Sequence, residues 1–141
     1  MSCKTLSEWE RGYLAGIIDG EGCIRISRGK SKRYPGRYYY CPRLIITNTN
    51  LGIMKKVQEI IGYSSIRGHH TPKGTPSWKV SVGGHILSWL LPQLDLIGKR
   101  EHKLLVLEAI EANKNGRDST RLEQLKKSIS DLKIMRDKKE T

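Results

Sequence analysis

Two carboxylates, Asp19 and Glu21, stand two residues apart in the run Asp19-Gly20-Glu21-Gly22, directly after a stretch patterned as a helix. The C-terminal end of a helix is already the negative end of its macrodipole and ordinarily recruits Lys or Arg. Acids at that end call for a positive partner. A divalent cation bound through oxygen would supply it, and a carboxylate pair brought together by two such helices would hold it. The plainer alternative is a core helix that passes through a glycine turn into a strand, since Asp-Gly and Glu-Gly are common turn dipeptides.

The helix that must position these acids opens on a capping box, Ser7 with Glu10, and Thr5 with Glu8 offers a second start. Gly12 and Gly16 then fall one turn apart inside it, with Ala15 beside Gly16, although an interior glycine costs roughly 1 kcal/mol relative to alanine. Four-residue spacing puts both on one face, where a second backbone can approach closely.

Residues 23–28 alternate apolar and polar, the period of a half-buried strand, with Ile24 and Ile26 toward the core and Arg25 and Ser27 outward. Residues 29–37 form a basic hairpin loop. A second strand spans about 38–47, with Leu44 and Ile46 inward and Tyr39, Arg43 and Ile45 on the other face. After the turn and cap cluster Thr47-Asn48-Thr49-Asn50, Leu51, Ile53, Met54, Val57, Ile60 and Ile61 recur at helical spacing, and Gly62 ends that helix. Residues 64–70 and 77–82 read as a second hairpin around Thr71-Pro72-Lys73-Gly74. Its inward side chains are Ile66, Trp78, Val80 and Val82, and its outward ones Arg67, His69 and Lys79. A short helix from about 86 stops at Pro92. A longer one covers about 99–113 with Leu104, Leu105, Leu107 and Ile110 as its apolar stripe, and Thr120 with Glu123 caps a last amphipathic helix carrying Leu122, Leu125, Ile129, Leu132 and Met135.

This order predicts one α+β domain over 1–141, with a core at about 7–113 and a C-terminal helical extension at about 114–141. Its four-stranded antiparallel sheet packs one face on helices and presents the other, a width suited to a major groove. The net charge of +12 is concentrated where that sheet lies, because residues 22–94 hold twelve Lys and Arg against one acid, Glu59. A folded basic surface of this kind points to nucleic acid, with an anionic membrane surface as the lesser alternative. Cys3, Cys23 and Cys41 are odd in number and lack CxxC or Cys/His spacing, which argues against a disulfide framework or a zinc site. No opening apolar run resembles a signal peptide and no segment approaches a membrane span. A soluble protein acting inside the cell is expected, in an organelle or a prokaryotic cytoplasm.

Leu14 to Gly22 reads LAGIIDGEG, which resembles the LAGLIDADG motif of homing endonucleases at its hydrophobic, glycine and first-acid positions. The second acid, most often Asp in that motif, is Glu21 here. The resemblance covers about residues 7–113 and implies the αββαββα fold. One motif in a chain of 141 residues implies a homodimer, since in that family two motif helices meet to build the active site. Gly12, Ala15, Gly16 and Asp19 would line the seam, and the DNA target would be long and near-palindromic.

By the same resemblance Glu21 is the candidate metal ligand, one from each subunit, with the Gly20 carbonyl beside it. Asp19 matches the first acid and is assigned to the seam, capping or supporting a bound Mg²⁺ or Mn²⁺. Asn48 stands where the family often has a polar residue that positions water, its alternative being a helix N-cap. Lys99 stands where the family commonly has a lysine near the scissile phosphate, able to stabilise developing charge; the alternatives are a solvated helix-start lysine, or Arg100 as the working cation. The implied activity is a metal-dependent, site-specific cut in both strands of DNA across the minor groove, leaving short 3′ overhangs.

Arg25, Ser27, Arg28, Tyr39, Arg43, Ile45, Arg67, His69 and Lys79 are the candidate DNA contacts of the sheet. Lys30, Lys32, Arg33 and Arg37 are assigned to phosphates. Tyr38, Tyr39 and Tyr40 admit a different partner, single-stranded RNA held by stacking. His69-His70 makes a poor metal pair, because adjacent strand residues point to opposite faces. An intron RNA maturase and a non-cleaving DNA-binding regulator are the alternatives to an endonuclease on this fold.

Overall fold

Ser7 and Glu10 cap each other. The Ser7 hydroxyl accepts the Glu10 N–H at 3.1 Å, and the Glu10 carboxylate accepts the Ser7 N–H at 2.9 Å. That second bond holds the Glu10 carboxyl below its ordinary range. In the computed structural model, which describes residues 3–139 with side chains as far as residue 132, this cap starts helix α1 (Glu8–Glu21). There follow strands β1 (Gly22–Lys30) and β2 (Tyr38–Asn48), helix α2 (Leu51–Ile61), strands β3 (Ile66–His70) and β4 (Pro76–Gly83), and helix α3 (Gly84–Leu90). A 3₁₀ turn at Leu91–Gln93 leads to α4 (Arg100–Lys114) and α5 (Ser119–Lys139). The chain is thus an αββαββα unit with C-terminal helices, as expected. Met135, expected on the last apolar stripe, lies outside the described side chains.

The strands form one antiparallel sheet in the order β1-β2-β4-β3. Ile24, Ile26, Leu44, Ile46, Val80 and Val82 are buried on one face, together with Leu14 and Ile18 of α1 and Met54, Val57, Ile60 and Ile61 of α2. The intervening residues of β1, β2 and β4 point the other way, so period-two alternation in the sequence sets which side chains meet the core. Gly22 lets β1 begin immediately at the end of α1. A Cβ there would lie 2.8 Å from the Ile18 carbonyl oxygen, so any larger residue would push helix and strand apart.

A remote side chain closes α2, which has no basic residue in its last turn. The Lys4 ammonium donates to the carbonyls of Glu59 (3.1 Å) and Ile60 (2.6 Å) at the end of α2. The Gln93 amide holds the segment before α1, accepting the Leu6 N–H at 2.9 Å and donating to the Lys4 carbonyl at 2.8 Å.

The C-terminal helices depart from the sequence pattern in three respects. Val106, Ala109 and Ile110 are the buried residues of α4, whereas Leu105 and Leu107 are half-buried and Leu104 is 56% exposed. The apolar run 104–107 is unbroken and therefore carries no phase; α3, α5 and the sheet select it. Asp118 caps α5, its carboxylate accepting the Arg121 N–H at 3.2 Å, in place of Thr120. Glu123 serves as a latch instead. One of its oxygens accepts the Tyr40 hydroxyl at 2.7 Å and Arg28 Nη1 at 3.2 Å, tying α5 to β1 and β2.

The Tyr40 hydrogen bond, followed by Arg28, holds the Glu123 carboxyl below its ordinary value of 4.5. Burial, followed by the bond to Glu123, raises the Tyr40 phenol above 10.0. A depressed carboxyl contributes stability above its unfolded pKa and loses it as pH falls through the folded one, so the latch weakens in acid. Glu123→Gln should be less stable than the parent at neutral pH, and the gap in melting temperature should close below pH 4.5. A gap constant from neutrality into that acid range would show that the carboxylate is not engaged.

Candidate active site

The two acids at the end of α1 have different environments. Asp19 turns inward: Oδ2 accepts the Ile97 N–H at 2.9 Å, and Oδ1 accepts the N–H groups of Gly98 and Lys99, each at 3.1 Å. Its carboxylate therefore holds the turn that precedes α4. Asp19 fits the capping role among those expected for it. Glu21 is the last residue of α1 and is exposed.

Asn48, at the end of β2, donates from Nδ2 to Glu21 Oε2. Its own Oδ1 accepts the Asn50 N–H at 2.7 Å, which fixes the amide orientation, since only the oxygen can take that proton. Asn50 is the N-cap of α2, accepting the Ile53 N–H at 3.1 Å. The N-cap alternative for Asn48 is thereby corrected: the cap lies two residues later.

Lys99 also differs from its expected setting. It is 7% exposed, and its ammonium donates to the carbonyls of Ile18 at 2.9 Å and Asp19 at 2.8 Å. It supplies the positive charge that the last turn of α1 lacks. A solvated helix-start lysine is excluded, and the ammonium is directed at the end of the helix that carries Glu21. The adjacent Arg100 is exposed and pairs with Asp95 at 3.5 Å.

Gly12, Gly16 and Gly20 are exposed along α1, and nothing lies within 4 Å of a Cβ built on any of them. Their cost in helix propensity is not offset by close packing inside the protomer. Ala15 differs from the seam expected for it, since it is 8% exposed and belongs to the core.

On the outward sheet face, Arg25 is directly opposite Arg43, and Arg67 directly opposite Lys79. Like charges in that relation repel, and among the described residues neither pair has an acid partner. Arg43 Nη1 instead donates to Ser81 at 3.3 Å. Arg25, Ser27, Arg43, Ile45, Ser65, Arg67, Lys79 and Ser81 line one depression. Ser65 and Ser81 went unnoticed in the sequence although their alternation was readable. His69 shares this face, opposite Ser77. Tyr39 lies across Gly29, where its ring takes the space of a side chain.

Arg28 does not join that set. It has the parity of Ile24 and Ile26 and reaches Glu123 on the helical side, with its guanidinium 4.5 Å from the Tyr38 ring centre. Lys30 has the same parity, at the end of β1. Lys32, Arg33 and Arg37 lie in the connecting loop, where Arg33 and Arg37 both approach the ring of Tyr34, at 5.6 and 5.4 Å.

The donor set at the end of α1, the Glu21 carboxylate and the Gly20 carbonyl, consists of hard oxygens suited to Mg²⁺ or Mn²⁺. The described residues gather no group of three His, Cys, Asp or Glu able to hold a metal, and among them no helix is long and apolar enough to cross a membrane.

The family described as LAGLIDADG endonuclease matches residues 14–110. No curated protein is matched. Among solved structures, the homing endonuclease I-CvuI bound to an I-CreI target in 2 mM Mg, with the DNA not cleaved, is 27% identical with a TM-score of 0.70 over 89% of this chain and 82% of that one. I-CvuI with its own target in 2 mM Ca is 26% identical, with a TM-score of 0.69 over 88% and 82%. The archaeal intron-encoded homing endonuclease I-Vdi141I bound to DNA is 21% identical, with a TM-score of 0.76 over 89% and 84%, and shares the fold.

Because Lys99 bonds the carbonyl end of α1 from a buried position, Lys99→Met should cost about 1.5–3 kcal/mol of stability, measured by urea denaturation. A change within about 0.5 kcal/mol, the range of ordinary surface substitutions, would contradict that role.

Proposed function

From the membership of this chain in the LAGLIDADG endonuclease family, we propose that it is a homing endonuclease that cuts both strands of a long, near-palindromic DNA as a homodimer. The observation that carries this reading is the division between the two acids. Asp19 is consumed by the 97–99 turn, while Glu21, two residues on, is exposed at the end of an open glycine stripe. A protein that only bound DNA would gain nothing from an exposed carboxylate beside a basic face.

Two copies joined through Gly12 and Gly16 bring two Glu21 carboxylates together at a two-fold axis. Each Glu21, with its Gly20 carbonyl, would hold Mg²⁺ or Mn²⁺. The bound cation supplies charge neutralisation at the phosphate and favours water as the nucleophile. Asn48 orients the Glu21 carboxylate through its amide N–H. Lys99 acts by holding the helix end and is a positioning residue in this arrangement; Arg100 is the exposed cation next to it. Arg25, Ser27, Arg43, Ile45, Arg67, His69, Lys79 and Tyr39 face the major groove, and Lys30, Lys32, Arg33 and Arg37 meet phosphates.

Incubation with a randomised duplex library in Mg²⁺, followed by sequencing of new ends, should return one near-palindromic site. Glu21→Gln should lower cutting of that site at least a hundredfold, the order typical for loss of a transition-state contact, with binding little changed. Retention of DNA without cutting by the parent protein would move the assignment to a regulator, or to a maturase if intron RNA is preferred.

Gly16→Leu should turn the dimer into a monomer in sedimentation. A Cβ at this exposed position meets nothing within 4 Å inside the protomer, and the change gains about 0.8 kcal/mol of helix propensity, so the monomer should remain folded. A dimer that survived it would remove α1 from the seam.

A further inference from the structure

One apolar rung interrupts the basic sheet face. Ile45 stands opposite Cys23, and both point outward between the buried residues that flank them. Ile45 shares its depression with Arg25, Arg43, Arg67 and Lys79 and has no part in the hydrophobic core. Packing therefore does not account for it. An aliphatic side chain amid cations gains from a ligand that is anionic around it and apolar at that one point. In the major groove, the apolar group on a base edge is the C5 methyl of thymine.

Strand geometry sets the spacing. Successive outward residues on a strand lie about 6.6 Å apart, and base pairs about 3.4 Å apart, so neighbouring rungs span about two base-pair steps. Strand β1 leaves α1 at Glu21, which makes Cys23 and Ile45 the first outward rung of the β1–β2 pair and Arg25 with Arg43 the second. Arginine prefers the two acceptors of guanine.

Resting on the reading of this face as a DNA interface, we infer that Ile45, with Cys23 beside it, selects a thymine in each half-site through its methyl group. A guanine read by Arg25 and Arg43 then lies about two base-pair steps farther from the cut.

The full-length protein and the duplex recovered from the randomised library provide the test. Each thymine is replaced in turn by deoxyuridine in both half-sites, which deletes the methyl and keeps every hydrogen-bonding group, and affinity is measured in Ca²⁺. One thymine per half-site should be sensitive, with its replacement in both half-sites weakening binding about fifteenfold, about fourfold for each buried methyl. That sensitivity should persist in Ile45→Val and vanish in the Ile45→Ala, Cys23→Ser double variant, which removes no core residue.

Binding indifferent to every methyl, or a methyl effect unchanged in the double variant, would overturn the assignment while leaving the DNA interface intact. Failure to recover any duplex would overturn the interface reading and this inference with it.

Discussion

The carbonyl end of α1 is the constraint on which the remaining geometry depends. Lys99 lays a buried ammonium on the Ile18 and Asp19 carbonyls, and Asp19 in turn takes the N–H groups of residues 97–99. Each segment thus closes the unsatisfied backbone of the other, helix carbonyls on one side and turn amides on the other. Without that exchange, the end of α1 would bury carbonyls lacking a basic partner, and Glu21 would sit on a frayed turn. Lys4 treats α2 in the same way. Both helix ends are therefore stabilised by tertiary contacts rather than by residues of their own last turns.

Much of the fold was readable because its signals are local. The Ser7/Glu10 cap, the alternation in β1 and β2, and the Gly62 stop each depend on neighbours within a few residues. The motif stretch also announced the two acids and the glycine face. What the pattern missed came from distant partners. Glu123 looks like a capping residue until Tyr40 and Arg28 are beside it, and Lys99 looks solvated until α1 lies beneath it. Arg28 is the exception: its parity with Ile24 and Ile26 is local and already places it off the outward face.

The sheet face is electrostatically incomplete in the free protein. Arg25 against Arg43 and Arg67 against Lys79 repel across paired strands, and the scarcity of acids in residues 22–94 leaves little to relieve them. The strain is bearable because the core side of the same strands buries a block of apolar side chains, with Leu44, Ile46 and Val80 at 0% exposure. Burial on one face thus supports a repulsive arrangement on the other, and the same residues alternate between the two duties.

Among the described residues, strand β3 ends the sheet with no strand beyond it, whereas β1, at the opposite edge, contacts α4 and α5. An open edge invites a strand from another molecule, and proteins blunt it with brevity and charge. β3 is five residues long and carries Arg67, His69 and His70 around a glycine. The side chains assigned to DNA under the proposed function would therefore also guard against polymerisation through the sheet. A version retargeted by placing aliphatic residues along β3 would sacrifice colloidal stability for recognition, so the repertoire of readable targets is bounded by solubility as well as by affinity.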